Sequence, residues 1–349
     1  MAYTLQADKL AEWLRAVAGD APVYGPVRDG QGQVIWARMA GPDEAVLEPG
    51  VVSDSAKRLF YPPSEEMLRY SYGQRCVRLL DQAPAPEPFV LFGIRPCDAL
   101  ALQQTDHFWG ADQGDPYYQN RREQSVVIAI NCAEVVPECF CEGISEAMSQ
   151  PRGMDLLLTP LAAGAYLVES FTARGAALLE QTAELLQPAS AGEEAERPAL
   201  AEKLKAQQVR RIEREGLQER LQAVFKDKDF WLRLTQSCIG CGVCTFECPT
   251  CTCFDVLDDA VMGHGYRYRC WDTCQFRHFC EEASGHDRRP FQWERQRQRI
   301  CHKLWYSVDR FDEITCVGCG RCIRLCPVNI DISEIAQATL AAQTETAAN

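Results

Sequence analysis

The sequence predicts two domains of different kinds. A mixed domain, α+β or α/β, covers residues 1–190, and a cysteine-organised domain with a linker helix and a long insertion at 249–315 covers 191–349. Three observations predict this division. Apolar runs of strand length mix with helix-period segments in the first half. The stretch 187–198 (QPASAGEEAERP) breaks the composition. Most of the 19 cysteines lie beyond it, in a repeated spacing.

The elements follow in order. Leu10, Trp13, Leu14 and Val17 fall at i, i+3, i+4 and i+7, the apolar stripe of a first helix. Val23–Val27 and Val34–Met39 flank Asp29-Gly30-Gln31-Gly32, the composition of a hairpin turn. Pro88–Ile94 and Ser125–Ile130 are nearly continuous apolar runs, as expected of strands covered on both faces in a sheet with parallel pairs. Leu156–Thr159 and Tyr166–Val168 read as a further pair around Gly164. Beyond the break, Leu200, Leu204, Ile212, Leu217, Leu221 and Val224 recur at roughly helical spacing and predict one long amphipathic helix.

Composition narrows the function. At 349 residues and 46% hydrophobic, the chain buries a proper core and needs no disulfide framework. An odd cysteine count also leaves one thiol over from complete pairing. Asp8, Lys9, Glu12 and Arg15 interrupt any apolar leader, and no apolar run approaches the roughly 20 residues of a membrane span. These features point to a cytoplasmic, reducing location. A net charge of −13 argues against nucleic acid as a partner, and the basic stretch Arg288 to Arg299 reads as a solvated or partner-facing surface.

The specific signal is in the cysteines. Cys238, Cys241, Cys244 and Cys248-Pro249 form C-x2-C-x2-C-x3-C-P, and Cys316, Cys319, Cys322 and Cys326-Pro327 repeat it. This is the spacing of two-cluster bacterial ferredoxins, in which the fourth cysteine of each run serves the other cluster. Cys238, Cys241, Cys244 and Cys326 are therefore expected to hold one [4Fe–4S] cluster. Cys316, Cys319, Cys322 and Cys248 are expected to hold the second, in a ferredoxin-like fold. A pair of zinc sites would need only two C-x2-C knuckles and does not explain a third cysteine plus Cys-Pro, twice. The glycines of both motifs are expected to let the backbone approach the clusters.

A weaker constellation lies in the first half. Cys97 and Cys132 directly follow the two buried runs, and Cys139 and Cys141 come shortly after. Ligands gather at the carboxyl ends of strands in open α/β sheets, so these four thiols can form a third site, for a cluster or for zinc. Packing as core cysteines is the alternative. Cys76 is expected on a helix, in the core. In the insertion, Cys270, Cys274 and His278 at i, i+4 and i+8 would line one helical face, as a metal site or as apolar packing, and Cys251, Cys253, Cys270, Cys274, Cys280 and Cys301 are left without an assigned role.

With these residues in view, the chain resembles the beta, iron–sulfur subunit of cytoplasmic NiFe sulfhydrogenases, and is similar to the corresponding iron–sulfur subunit of anaerobic sulfite reductases. The resemblance rests on Gly93-Ile94-Arg95-Pro96-Cys97-Asp98, Asp115-Pro116-Tyr117-Tyr118, Cys139-Phe140-Cys141 and Cys248-Pro249-Thr250-Cys251-Thr252-Cys253-Phe254. Trp271-Asp272-Thr273-Cys274, Gly285-His286, His302-Lys303 and the second cluster motif complete it. It implies a non-catalytic electron-transfer component of a hetero-oligomer. Such a component relays electrons from or to a reductase subunit that binds NAD(P) and flavin. At its other end stands a catalytic subunit: a NiFe hydrogenase or a sirohaem sulfite reductase. The resemblance also includes matches to Cys97, Cys132, Cys139 and Cys141, which favours a third [4Fe–4S] cluster there, and to Cys253 and Cys274.

The absence of a G-x-G-x-x-G or Walker motif fits that accessory role. Two rivals differ in class. An enzyme in its own right would turn over a substrate such as sulfur or sulfite, and a non-redox binding module stapled by metal would be colourless.

Overall fold

The computed structural model describes residues 2–48, 52–73, 76–82 and 87–342. Among the described residues ten strands come before the cysteine-rich half: β1 (Ala2–Gln6), β2 (Val23–Arg28), β3 (Val34–Arg38), β4 (Ser64–Tyr72), β5 (Val77–Gln82), β6 (Val90–Ile94), β7 (Val126–Ile130), β8 (Leu156–Pro160), β9 (Ala165–Ser170) and β10 (Gln187–Pro188). β11 (Phe254–Val261) and β12 (His264–Trp271) follow within it. One sheet runs β10-β1-β9-β8-β7-β6-β2-β3, and a second runs β11-β12-β4-β5.

The first sheet is mixed, as the apolar runs predict. β6 pairs in parallel with β2 and with β7, and β7 pairs in parallel with β8. The remaining pairs are antiparallel, including the β2–β3 hairpin and β8–β9. Leu91, Phe92, Ile94, Val127, Ile128 and Ala129 are completely buried, because each strand is covered on both faces. The first helix, Leu10–Ala18, packs Trp13 and Leu14 into one of those faces. At the β2–β3 turn Asp29 accepts from the Gln31 and Gln33 N–H groups, the local bonding that makes Asp a turn residue.

The composition break at 187–198 is regular structure: β10 joins the first sheet, and a helix over Ala191–Gln207 begins at Ser190. Ser190 and Glu193 form a reciprocal capping box, which a reading by composition alone passes over. The single long helix is in fact two, Ala191–Gln207 and Leu217–Val224. The first ends where Gln208 turns extended, the chain between them is irregular with Ile212 buried, and Gly216 at φ +71° caps the start of the second.

The second sheet ties the halves together. β12 of the insertion pairs with β4, about 200 residues earlier in sequence. The β11–β12 hairpin turns on Met262-Gly263, both at positive φ, the backbone of a two-residue hairpin loop. Arg269 on β12 is 1% exposed and meets Glu65 and Asp115, a buried ionic tie between the halves.

Three more expectations are corrected. Cys76 is exposed in the connection between β4 and β5, neither helical nor core. Cys270 lies on β12 and Cys274 in the loop beyond it. His278, in a short 3-10 turn, faces Asp272, so no helical face gathers the three. The basic stretch is not simply a solvated surface. Arg295 and Arg299 are buried, and Arg297 stacks over Phe225 and Trp293.

Candidate metal centre

The sequence repeat is a structural repeat. Gly240 and Gly242 sit at φ +70° and +77°, and Gly318 and Gly320 at +67° and +75°. Each pair leads into one short turn of helix, Val243–Phe246 and Arg321–Arg324. After each Cys-Pro the same turn follows: Cys251 N–H donates to the Cys248 carbonyl and Asn329 N–H to the Cys326 carbonyl, both at 3.3 Å. Equal spacing has given equal backbone.

Cys238, Cys241, Cys244 and Cys326 line one small cavity, together with Gln296, Arg299 and Ile330. Three donors are aimed at its sulfurs: Gln292 Nε2 (3.4 Å) and Gln296 Nε2 (3.0 Å) at Cys238, and the Ile330 N–H (3.2 Å) at Cys326. Amide donors on cysteine sulfur are the protein's means of stabilising thiolate charge. Cys241 and Ile239 are exposed, so this set lies at the surface.

Cys316, Cys319, Cys322 and Cys248 form a second neighbourhood, each within electrostatic range of others in the set. Burial pushes the Cys244, Cys316 and Cys319 thiols up to about 12. A thiolate in such surroundings needs a cation or a metal beside it. The protein supplies cations. Lys57, Arg299 and Lys303 are buried here, and among the described residues none of them pairs with a carboxylate. Burial opposes the charge on Arg299 and Lys303, but the surrounding thiols more than offset it and hold both above their ordinary range. Unpaired buried cations facing a ring of cysteines fit a dianionic group held by four thiolates.

The third set meets at the carboxyl edge of β6 and β7. Cys97 starts the helix Pro96–Trp109 after β6, and Cys132 follows β7. Both line a pocket with Cys139, Cys319, Arg95 and Arg321. Cys141 lies buried beside them, accepting from Gln208 Nε2 at 3.2 Å. Burial raises the Cys139 thiol to about 11. Cys319 thus borders both the second and the third sets, and Cys244 neighbours Cys322 across the first and second. Among the described residues no group of three or more Cys, His, Asp or Glu side chains converges tightly enough for a single metal ion.

Two features escaped sequence reasoning. Arg321, inside the second motif, makes a bidentate pair with Asp98, the residue after Cys97, at 2.7 Å in one arm. Lys57 reaches from the first half to the carbonyls of Thr245, Cys248 and Cys251 at 3.2, 2.9 and 3.0 Å, and lies 4.4 Å from the centre of the Trp271 ring. No local pattern marks either one. The glycines of the second motif also serve a further contact. A Cβ on Gly318 would stand 2.6 Å from the Cys141 backbone, and one on Gly320 2.6 Å from the Glu138 carbonyl. They admit the third-site loop as well as any cluster.

Comparison with known proteins agrees with this geometry. Residues 237–330 match a 4Fe-4S dicluster domain. Over 330 residues, 94% of this chain and 95% of the relative, the chain is 27% identical to Sulfhydrogenase 2 subunit beta of Pyrococcus furiosus. The resemblance read from the sequence is borne out: the chain carries a 4Fe-4S dicluster domain and is similar over nearly its whole length to a sulfhydrogenase beta subunit.

Proposed function

We propose that this chain is the electron-transfer subunit of a NiFe hydrogenase of the sulfhydrogenase type, with three [4Fe–4S] sites in series. The first would be held by Cys238, Cys241, Cys244 and Cys326. The second would be held by Cys316, Cys319, Cys322 and Cys248, and the third by Cys97, Cys132, Cys139 and Cys141. The observation that carries this reading is the contiguity of the three cysteine sets, through Cys319 on one side and Cys244–Cys322 on the other. A bound [4Fe–4S] cluster supplies reversible one-electron chemistry.

The chain's own residues orient and tune that chemistry. Gln292, Gln296 and the Ile330 amide donate to sulfurs at the exposed end. Lys57 fixes the Cys248 loop by its carbonyls. Arg299 and Lys303 place positive charge at the middle set, which favours the added electron there despite the overall charge of −13. The Asp98–Arg321 pair holds the third set against the second.

The partners that fit are a reductase subunit that binds flavin and NAD(P), together with a hydrogenase catalytic subunit, in a cytoplasmic hetero-oligomer. No helix of the described residues is long and apolar enough to cross a membrane. The test is made on the chain isolated anaerobically: its iron–sulfur sites should accept about three electrons from dithionite and return them singly to a viologen, without the chain evolving hydrogen or consuming sulfite or sulfur. A colourless chain that takes up no electrons overturns the reading, as does substrate turnover by the chain alone.

A further inference from the structure

Cys253 and Cys274 belong to none of the three sets, yet the fold brings them together. Phe254 pairs with Trp271 at the base of the β11–β12 hairpin, and the Asp272 N–H donates to the Cys253 carbonyl at 3.0 Å. Beyond Asp272 a turn in which Thr273 Oγ1 accepts from the Gln275 N–H (3.1 Å) folds Cys274 back onto that base. There the Cys253 and Cys274 side chains are neighbours, close enough for each to act on the charge of the other. Gln275 Nε2 donates to Cys274 Sγ at 3.4 Å from the other side. Cys274 is buried and Cys253 half-buried. Cys244, of the first cysteine set, is an electrostatic neighbour of Cys274.

Two neighbouring thiols at the base of a paired hairpin, one partly open to water and one beside a cysteine of the first set, have the placement a redox pair requires. We propose that Cys253 and Cys274 are a dithiol–disulfide couple that exchanges two electrons with the adjacent iron–sulfur sites. Oxidation breaks two S–H bonds and forms one S–S bond. The two protons leave through the half-exposed Cys253 side, and the two electrons leave singly to iron–sulfur acceptors on the Cys244 side. Reduction is the reverse, with two electrons and two protons taken up. The couple gives one-electron carriers a two-electron store, and it rests on the cluster reading above.

The test uses the full chain, purified anaerobically and poised at stepped potentials. At each step the thiols are alkylated, the Cys253–Cys274 peptides are measured by mass spectrometry, and iron is counted on the same sample. The linked peptide should appear at the oxidising end and vanish at the reducing end, with a two-electron slope of about 30 mV per decade, while iron stays constant. Cys253→Ser and Cys274→Ser should each remove that transition and keep the wild-type iron content. Iron lost in either variant makes these thiols ligands and overturns the couple, as does a wild-type chain that holds iron but never yields the linked peptide. A wild-type chain without iron fails the cluster reading first, and the electron exchange with it.

Discussion

Lys303→Met removes one buried positive charge from the middle cysteine set, and its effect on the potential there follows from the structure. Lys303 Nζ donates to Thr250 Oγ1 at 2.6 Å, and that oxygen is 3.4 Å from Cys248 Sγ. The charge therefore stands within about 6 Å of a ligand sulfur, and at most about 10 Å from the centre of a cluster held there. At an effective dielectric of about 20, a unit charge at 6–10 Å is worth about 3 to 1.7 kcal/mol. With about 59 mV per 1.4 kcal/mol for one electron, the midpoint potential of that site should fall by about 70–120 mV. A redox titration followed by electron paramagnetic resonance reads the shift, and Lys303→Arg should retain most of the wild-type value. A change under about 20 mV in Lys303→Met, or a rise, would refute the assignment of Lys303 as the charge that tunes this site.

Three further outcomes are expected. Asp98→Asn leaves Arg321 charged and buried without its partner, so urea denaturation should show a loss of about 3–5 kcal/mol, whereas an Asp98→Leu/Arg321→Met double variant should lose less. Gly318→Ala forces a Cβ to 2.6 Å from the Cys141 backbone at a φ of +67°. It should lower the thermal midpoint and release iron from the third site before the other two, which iron counts along a mild heating series would register. Partial burial, then the cations Lys303, Arg310 and Arg289, hold the His302 imidazole below its ordinary range, toward about 4, although the side chain reaches solvent. Its neutral form belongs to the folded state, so its contribution is full above the unfolded value near 6.5 and is lost as pH falls through about 4. Because solvent screens an exposed group, His302→Gln should remove only about 1 kcal/mol or less of acid sensitivity across that window, measured as the difference in denaturation midpoint between pH 7 and pH 4.

What was legible in the sequence was whatever is encoded locally. The covered strands β6 and β7 announce themselves as unbroken apolar runs, and their parallel pairing places Cys97 and Cys132 at one edge. The twin cysteine motifs carry their backbone with them, down to the matched positive φ values of their glycines. Non-local contacts were not legible. Lys57 meets carbonyls nearly 200 residues away, and β4 finds β12 at a similar distance, so neither leaves a pattern in a short window. The β11–β12 hairpin was missed because its turn is Met262-Gly263 instead of the Asn-Gly or Asp-Gly that usually marks such loops. Arg295 and Arg299 read as surface from their charge, and are interior because thiol sulfurs, backbone carbonyls and Asp287 receive them.

The proposal of three iron–sulfur clusters in series is tested most directly by counting iron, acid-labile sulfide and zinc per chain. The protein is purified anaerobically, and Mössbauer spectra are recorded on the same sample. About 12 iron and about 12 sulfide are expected, all in [4Fe–4S] form, with no stoichiometric zinc. About 8 of each would remove the third site, and zinc without sulfide would contradict cluster ligation altogether.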